Sequence, residues 1–511
     1  MSAGHNPIQS YLARNARAFP DKPFIESIDQ EKSATYGQFN RLTNQFAQLL
    51  KSRNVRPNER IVLLSGNSIE HLVAFLGVMK YGATICTINV DTNRLYLTEI
   101  LAAVRARLVL FEQDLGIEGI AEGRYGEAML LGEWRPGSSS GLFATLEGLP
   151  ETPVDPVNSD QDDVLIVYTS GTTSRPKGSI SIYRQLMTNG ESVADALGLG
   201  PDDRLLEFRS LNWLSAQGAA GLAPLFRGAT LILARKFSES GYFEWLKTYR
   251  ATIGIGNPTC IAMLLNRPID IKATELPHLR FITSSSAPLP LEHWKAFEEM
   301  YGVPVAQGYG ATEALWIALS NERTRRIGSV GRPFPSQNLK IVNEEGKPLP
   351  AGTIGQVEVG GDPELRYRYQ GYDGQVETTA VGRMRPGDLG YLDADGYLFL
   401  TGRTRDLIIR GGVNISPVEV QNILLQVPGV AEAAAIGVPD RIYGEEVVAY
   451  VACKAGAHLT QESVLAQCQG KLPPAKLPKQ ILFKEELPKG DRGKIDRKLL
   501  AEEWQREHSV A

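Results

Sequence analysis

Cysteine and histidine are scarce in this chain. Its four cysteines, Cys86, Cys260, Cys453 and Cys468, form no C-x-x-C pair, which leaves a thiolate zinc site or a thioredoxin-type motif without support. So few cysteines in 511 residues also exclude a secreted disulfide scaffold. The six histidines, His5, His71, His278, His293, His458 and His508, show no H-E-x-x-H spacing, so a histidine-built metalloenzyme is not expected. Excess positive charge is missing as well. Lys plus Arg number 54 against 58 Asp plus Glu, a formal net charge of −4, without the basic field that a nucleic-acid binder carries. No apolar run approaches the roughly 18 residues that a membrane-spanning helix needs. The opening stretch MSAGHNPIQSYLARNARAFPDK has no apolar core of a signal peptide. A cytoplasmic location is expected.

Glycine, by contrast, is plentiful at 50 residues, suited to tight turns and close approach of backbone to ligand. At roughly 150 residues per domain the length alone predicts about three units. Helical spacing of Phe39, Leu42, Phe46, Leu49 and Leu50 predicts a helix over Tyr36 to Lys51. Arg60 to Ser65 reads as a buried strand, Glu70 to Lys80 as a helix and Leu108 to Phe111 as a strand. Such alternation predicts βαβ units and parallel sheet. From Asn338 onward the strands become short and turn-linked, with Asp395-Gly396 a hairpin signal. After Arg403 a small α+β pattern of about 105 residues begins, enough for a separate domain. We place the boundary within Gly402–Asp406.

The strand Val164 to Tyr168 runs into TSGTTSRPKGS. Two glycines, several hydroxyls and Lys177 after a buried strand suit a phosphate cradle, because successive backbone N–H groups wrap an anion and the lysine adds charge. It is not a Walker A loop: counting from Gly171, Pro176 takes the second glycine position and Gly178 replaces the hydroxyl residue after the lysine.

YTSGTTSRPKG resembles the signature loop of the adenylate-forming superfamily, which comprises acyl-CoA synthetases, stand-alone adenylation domains and luciferases. Further motifs follow in that family's order over nearly the whole chain. The resemblance implies an α/β fold with a large N-terminal body, residues 1–402, of parallel-rich sheets, helices and a small β subdomain. A small mobile C-terminal α+β lid, residues 403–511, completes it. The reaction implied joins a carboxylate to the α-phosphate of ATP, releasing pyrophosphate; a thiol then displaces AMP. The first half brings two anions together and needs cations and donors where charge builds up.

By the same resemblance, Thr169, Ser170, Gly171, Thr172, Thr173 and Lys177 cradle phosphates. In QGYGATEA, Gln307, Gly308, Tyr309 and Gly310 line the nucleotide site, with Tyr309 against adenine, Thr312 on the α-phosphate and Glu313 ligating Mg²⁺. Without the family, Thr312-Glu313 reads as a helix N-terminal signal. Ser286 and Ala287, in TSSSAPL, touch the nucleotide; Asp388 accepts both ribose hydroxyls and Arg403 supports ribose or phosphate. Arg405 is the hinge, and Lys494, in PKGDRGKIDRKLL, is the lysine of the adenylation step. Gly411, Gly412 and Tyr443 are implied to line the path of coenzyme A.

The acid pocket departs from the commonest family pattern. In FRSLNWLSAQG, Trp213 takes roughly the place where many relatives carry histidine, and Asn212 and Gln217 bring amide donors. With Ser284 nearby, these residues predict a short or compact, polar-ended carboxylic acid, since a buried amide needs a partner; paired core amides are the plainer alternative. Arg209 and Arg235 are further candidates, for a second anionic group on the acid. The expected activity is an ATP- and Mg²⁺-dependent acid–CoA ligase, with coenzyme A as thiol. Delivery of the acyl-adenylate to a carrier protein and a catalytically silent nucleotide-binding regulator of this fold are the alternatives. No nucleic-acid partner or membrane span is expected, and monomer and homodimer both stay open.

Overall fold

A computed structural model describes residues 7–112, 119–168, 177–490 and 494–508. Two eight-stranded sheets form the large body. Across the first run Leu315–Leu319, Val305–Ala311, Phe281–Ser284, Ile253–Gly254, Arg204–Glu207, Thr230–Leu233, Pro23–Ser27 and Lys32–Thr35. Its six inner strands are parallel and both edges are closed by antiparallel partners. Across the second run Val376–Val381, Arg366–Gln370, Gly178–Ile182, Asp163–Tyr168, Thr84–Thr87, Arg60–Leu64, Leu108–Phe111 and Glu127–Leu130. Here the last five are parallel. Such strands are covered on both faces, which is why Thr84–Thr87 and Thr230–Leu233 are buried at every residue.

The helix Ile69–Tyr81 packs against strands of both sheets, and every one of its residues is buried. Ser68 caps it, accepting the His71 N–H at 3.0 Å. Gly82 ends it at φ +103°, where a Cβ would stand 2.5 Å from Asn158 Oδ1 and 2.8 Å from its backbone nitrogen, so only glycine fits. Total burial forces its charged residues to find partners. Glu70 accepts from Lys32 at 2.6 Å, Gln30 at 2.7 Å and the Trp134 N–H at 2.8 Å. Lys80 donates to Asn40 Oδ1 at 2.9 Å and Thr43 Oγ1 at 3.2 Å. With no carboxylate among these acceptors, burial lowers its pKa to about 7.

A third, five-stranded antiparallel sheet within the body is built on Lys340–Val342, Gly355–Gly360, Asp388–Leu392 and Leu398–Arg403 with Arg383–Met384 beside it. Its last hairpin turns at Asp395-Gly396 as the sequence predicts. Gly396 has φ +79°, and the Asp393 carboxylate accepts the N–H groups of Asp395 and Tyr397. Residues beyond Leu407 form a second small sheet: Val413–Ile415, Ile408–Arg410, Gly444–Cys453 and Val430–Asp440, with Gln480–Lys484 alongside. Strand alternation splits its interior in two. Ala433, Ala435, Val447 and Ala449 pack with the helix Pro417–Leu424. Ala434, Ile436, Val448 and Tyr450 pack on the other face with Leu500 of the helix Arg497–His508. Among the described residues no helix is long and apolar enough to cross a membrane.

Candidate active site

The strand Val305–Ala311 pairs antiparallel with Leu315–Leu319, so Thr312 and Glu313 sit on the hairpin turn rather than at a helix N-terminus. Gly310 permits this: a Cβ there would lie 2.5 Å from the Leu315 carbonyl oxygen. Ser179 Oγ, on the strand leaving the glycine-rich loop, donates to the Thr312 carbonyl at 3.3 Å and ties the two large sheets together. The Tyr369 hydroxyl donates to Glu313 Oε1 in a short hydrogen bond. Burial, and next the Glu313 charge, raise the Tyr369 phenol above its ordinary pKa, so it stays a proton donor. Lys177 Nζ lies 5.9 Å from the Tyr369 ring centroid. No sequence motif marked Tyr369. It arrives because Arg366–Gln370 pairs with Gly178–Ile182.

Asp388, 5% exposed, is held from two sides. The Tyr309 hydroxyl donates to Oδ2 at 2.5 Å and Arg403 Nε donates to Oδ1 at 2.9 Å. Burial first, then Asp388, push the Tyr309 phenol well above its ordinary range. Arg403 is raised too, the Asp388 and Asp406 charges outweighing its burial. Asp388 and Arg403 are also direct partners in the strand ladder. Gln307 Nε2 donates to the Ala287 carbonyl at 3.3 Å, and Ser286 adopts φ +76°, a left-handed conformation rare outside glycine. The structure thus brings Gln307, Tyr309, Ala287, Asp388 and Arg403 into one neighbourhood, with Thr312, Glu313 and Lys177 at its sheet-to-sheet seam. Thr169, Ser170, Gly171, Thr172 and Thr173 lie outside the described residues. Among the described residues no group of three or more His, Cys, Asp or Glu side chains could hold a metal ion unaided.

The segment after Arg204–Glu207 carries the residues expected at the acid pocket. Arg209, 2% exposed, is bound to the fully buried Glu207 through Nε at 3.0 Å and Nη2 at 2.7 Å. Its Nη1 donates to Ser285 Oγ at 2.9 Å, pinning this segment to the end of Phe281–Ser284. The charge of Arg209 is therefore already matched, and Arg235 is likewise paired, with Glu112 at 3.3 Å. Both guanidiniums are thus paired within the protein, which weighs against these two candidates for a second anion on the acid. The amides need a similar correction. Asn212 Nδ2 donates to the Ser65 carbonyl at 2.8 Å and Gln217 Nε2 to Thr87 Oγ1 at 2.8 Å. Their donors are used inside the protein, while Asn212 Oδ1, Gln217 Oε1 and Ser284 Oγ are buried with no hydrogen-bond partner.

Half-buried Trp213 precedes the short helix Leu214–Ala216, which widens into a π-helical turn at Gln217–Leu222, a local unwinding common at functional sites. Trp316, unmarked by sequence, packs against this segment. Its indole N–H reaches the Ser215 carbonyl at 3.2 Å. A Cβ at Gly218 would stand 2.9 Å from its Cδ1, and one at Gly308 2.7 Å from its Cζ3. Two glycines make room for one indole.

In the C-terminal domain Gly411 and Gly412 take φ +54° and +81°, and the Gly411 N–H donates to the Tyr443 carbonyl at 2.8 Å. The Arg410 guanidinium lies over the Tyr443 ring at 4.2 Å and pairs with Glu446 at 2.5 Å. Arg405 sits in the turn Thr404–Asp406, 3.4 Å from Asp406. Lys494 is exposed, its carbonyl accepting the Gly490 N–H at 2.8 Å.

Comparison with known proteins gives the family. The family model described as AMP-binding enzyme matches residues 12–369, and that of the AMP-binding enzyme C-terminal domain matches residues 419–494. A sulfoacetate–CoA ligase of Cupriavidus necator is 34% identical over 497 residues, covering 96% of each chain. An oxalate–CoA ligase of Arabidopsis thaliana is 31% identical, covering 97% of this chain and 98% of its own. The crystal structure of ATP-bound MatB from Rhodopseudomonas palustris superposes with a TM-score of 0.84 at 27% identity, over 97% of this chain and 99% of that one. The chain belongs to the AMP-binding enzyme family and is an AMP-forming acid–CoA ligase that uses ATP and coenzyme A.

Proposed function

We propose that the acid activated here is short or compact and carries a polar group at the end remote from its carboxylate. The observation that carries this reading is the wall between Trp213 and Trp316, where Asn212, Gln217 and Ser284 are at most 2% exposed and each keeps one polar atom unpaired. A purely hydrocarbon tail would leave those atoms without a partner, at a cost of about 1–3 kcal/mol each. The relatives' names span sulfoacetate, oxalate, indoleacetate and ferulate, and none of these is singled out by about 30% identity.

In this reading Asp388 takes the ribose hydroxyls, being acceptor-only when ionised, while Arg403 holds it in place and Tyr309 lies against the base. Thr312 and Lys177, with Thr169, Ser170, Gly171, Thr172 and Thr173, meet the phosphates. A lone carboxylate suits a magnesium ion that arrives with a triphosphate and keeps most of its other ligands as water and phosphate oxygen, so Glu313 is the residue that would hold it. Bound there, the ion would offset charge on the phosphates. Lys494 enters from residues 403–511 to stabilise the charge that builds up as the carboxylate attacks, and leaves with a rotation near Arg405. Gly411, Gly412 and Tyr443 then line the path of the thiol. Residues 1–402 are the body, and the cytoplasm is the setting.

The test is pyrophosphate release over short aliphatic, hydroxylated, dicarboxylic, sulfonated, aryl and medium-chain acids, with CoA present and products weighed. AMP and one acyl-CoA from a compact polar acid are expected. Preference for a long unsubstituted acid would refute the substrate reading. AMP formed without acyl-CoA would point to transfer to a carrier protein instead, and no pyrophosphate from any acid to a silent regulator.

A further inference from the structure

Two of the unpaired atoms, Asn212 Oδ1 and Gln217 Oε1, belong to side chains of one hydrogen-bonded group. Ser65 accepts from Asn212 Nδ2 through its carbonyl and meets His71 Nδ1 through its hydroxyl at 2.7 Å. Thr87 Oγ1 accepts from Gln217 and lies 3.5 Å from the Asn212 carbonyl. Asn67, two residues after Ser65, donates to the carbonyls of Arg209 and Ala234 and accepts the Leu211 N–H. Ser284 stands beside Ser285, which Arg209 grips. All these side chains are buried.

The group is electrically neutral. Arg209 faces Glu207, and Arg235 faces Glu112, which also accepts the Gly66 N–H at 2.9 Å. His71, fully buried, is kept uncharged because burial lowers its pKa to about 4. No described cation is left over among these residues to balance a second charge brought by the acid, and an uncompensated buried anion is far costlier than a neutral group.

Orientation adds a second constraint. Turning the Asn212 amide over would set its oxygen against the Ser65 carbonyl oxygen, so Oδ1 is fixed as an unpaired acceptor. Gln217 can turn, since a threonine hydroxyl both donates and accepts, and Ser284 can do either. An acceptor that cannot turn is satisfied only by a donor.

We propose that the acid taken by this pocket is a monocarboxylate whose far end bears a neutral hydrogen-bond donor, such as a hydroxyl, a primary amide or a ring N–H, received by Asn212 Oδ1. Gln217 and Ser284 complete its coordination, and acids with a second carboxylate or a sulfonate are turned away. The inference rests on the acid-pocket reading given above and narrows it.

The experiment uses the full-length protein with ATP, Mg²⁺ and CoA. Three-member sets of acids on two skeletons are compared: propanoate, 3-hydroxypropanoate and malonate; benzoate, 4-hydroxybenzoate and terephthalate. Sulfoacetate is added. AMP release and acyl-CoA mass are both read. The hydroxy acid is expected to exceed its unsubstituted partner about 10- to 100-fold in kcat/KM on at least one skeleton, and the dianions to fall below both. Gln217→Leu and Asn212→Leu should draw the ratio of hydroxy to unsubstituted acid towards one, an effect that a purely structural role would not produce. Gln217→Leu keeps the test open if loss of the Asn212–Ser65 bond prevents folding.

A dianion or sulfonate matching or beating the hydroxy acid overturns the proposal and leaves the ligase assignment standing, as does equal use of hydroxy and unsubstituted acids. If none of the seven reacts, the wider acid screen decides: an active acid with a neutral terminal donor supports the proposal, and one without it overturns it. Absence of pyrophosphate release with every acid would overturn the acid-pocket reading itself.

Discussion

Replacing Lys80 by methionine removes a buried charge while keeping nearly the same shape. Lys80 is 2% exposed, and burial draws its pKa from 10.5 to about 7. Between pH 7 and 10.5 the unfolded chain binds a proton that the folded chain has released, so this lysine makes stability rise with pH across that window. Below pH 7 its full cost applies, on the order of 5 kcal/mol from the shift. Methionine also gives up hydrogen bonds to Asn40 Oδ1, Thr43 Oγ1 and, more weakly at 3.4 Å, the Asn40 carbonyl, together about 1–3 kcal/mol. Thr43 still donates to the Phe39 and Asn40 carbonyls, and half-buried Asn40 is within reach of water. Lys80→Met should therefore be more stable than the parent by about 2–4 kcal/mol at pH 7. The advantage should shrink by about 1.4 kcal/mol per pH unit and vanish near pH 9–10. In a body of this size that corresponds to about 3–5 °C in Tm at neutral pH, readable by tryptophan fluorescence in a series of melts from pH 6.5 to 10. A variant less stable than the parent at pH 7, or a difference that does not change with pH, would refute the reasoning.

Lys494→Ala should lose acid-dependent pyrophosphate exchange by roughly 10²–10³-fold yet convert supplied acyl-AMP to acyl-CoA; equal loss in both assays would contradict the role given to this lysine. Tyr369→Phe removes the hydroxyl that holds Glu313, and calorimetry should show ATP binding weakened about 10-fold with Mg²⁺ present and unchanged without it; a loss indifferent to Mg²⁺ would refute the positioning. Gly218→Ala pushes a Cβ to within 2.9 Å of Trp316, so the order of kcat/KM among acids of increasing bulk should shift towards the smaller by about 10-fold, and an unchanged order would place Trp316 away from the acid.

Much of this was legible in the amino-acid order. The helix expected over Tyr36 to Lys51 runs from Tyr36 to Ser52, capped by Thr35 and Gln38, because spacing and capping are local properties. The strand and helix expected around Arg60 to Lys80 fall within a residue of their observed limits. What stayed hidden depends on contacts between distant segments. Tyr369 reaches Glu313 only through the pairing of two strands nearly 200 residues apart in the chain, and the Trp316 indole finds its place only because Gly218 and Gly308 leave room for it. Arg209 is different: Glu207 stands two residues before it at a strand end, a spacing that puts both on one face, so its neutralisation was there to be read. The direction of the Asn212 amide was not, since it is set by a carbonyl about 150 residues away.

The small sheet beyond Leu407 has an interior on each of its faces, one closed by the helices Pro417–Leu424 and Gln461–Cys468 and the other by Arg497–His508. Most of what keeps such a unit folded is therefore its own. On the proposed reading, in which Lys494 enters and leaves with a rotation near Arg405, the piece would change pose with both interiors intact. Its exposed surface is then free to be chosen for what it carries, here a lysine, an arginine–tyrosine stack and two left-handed glycines, instead of for holding the fold together.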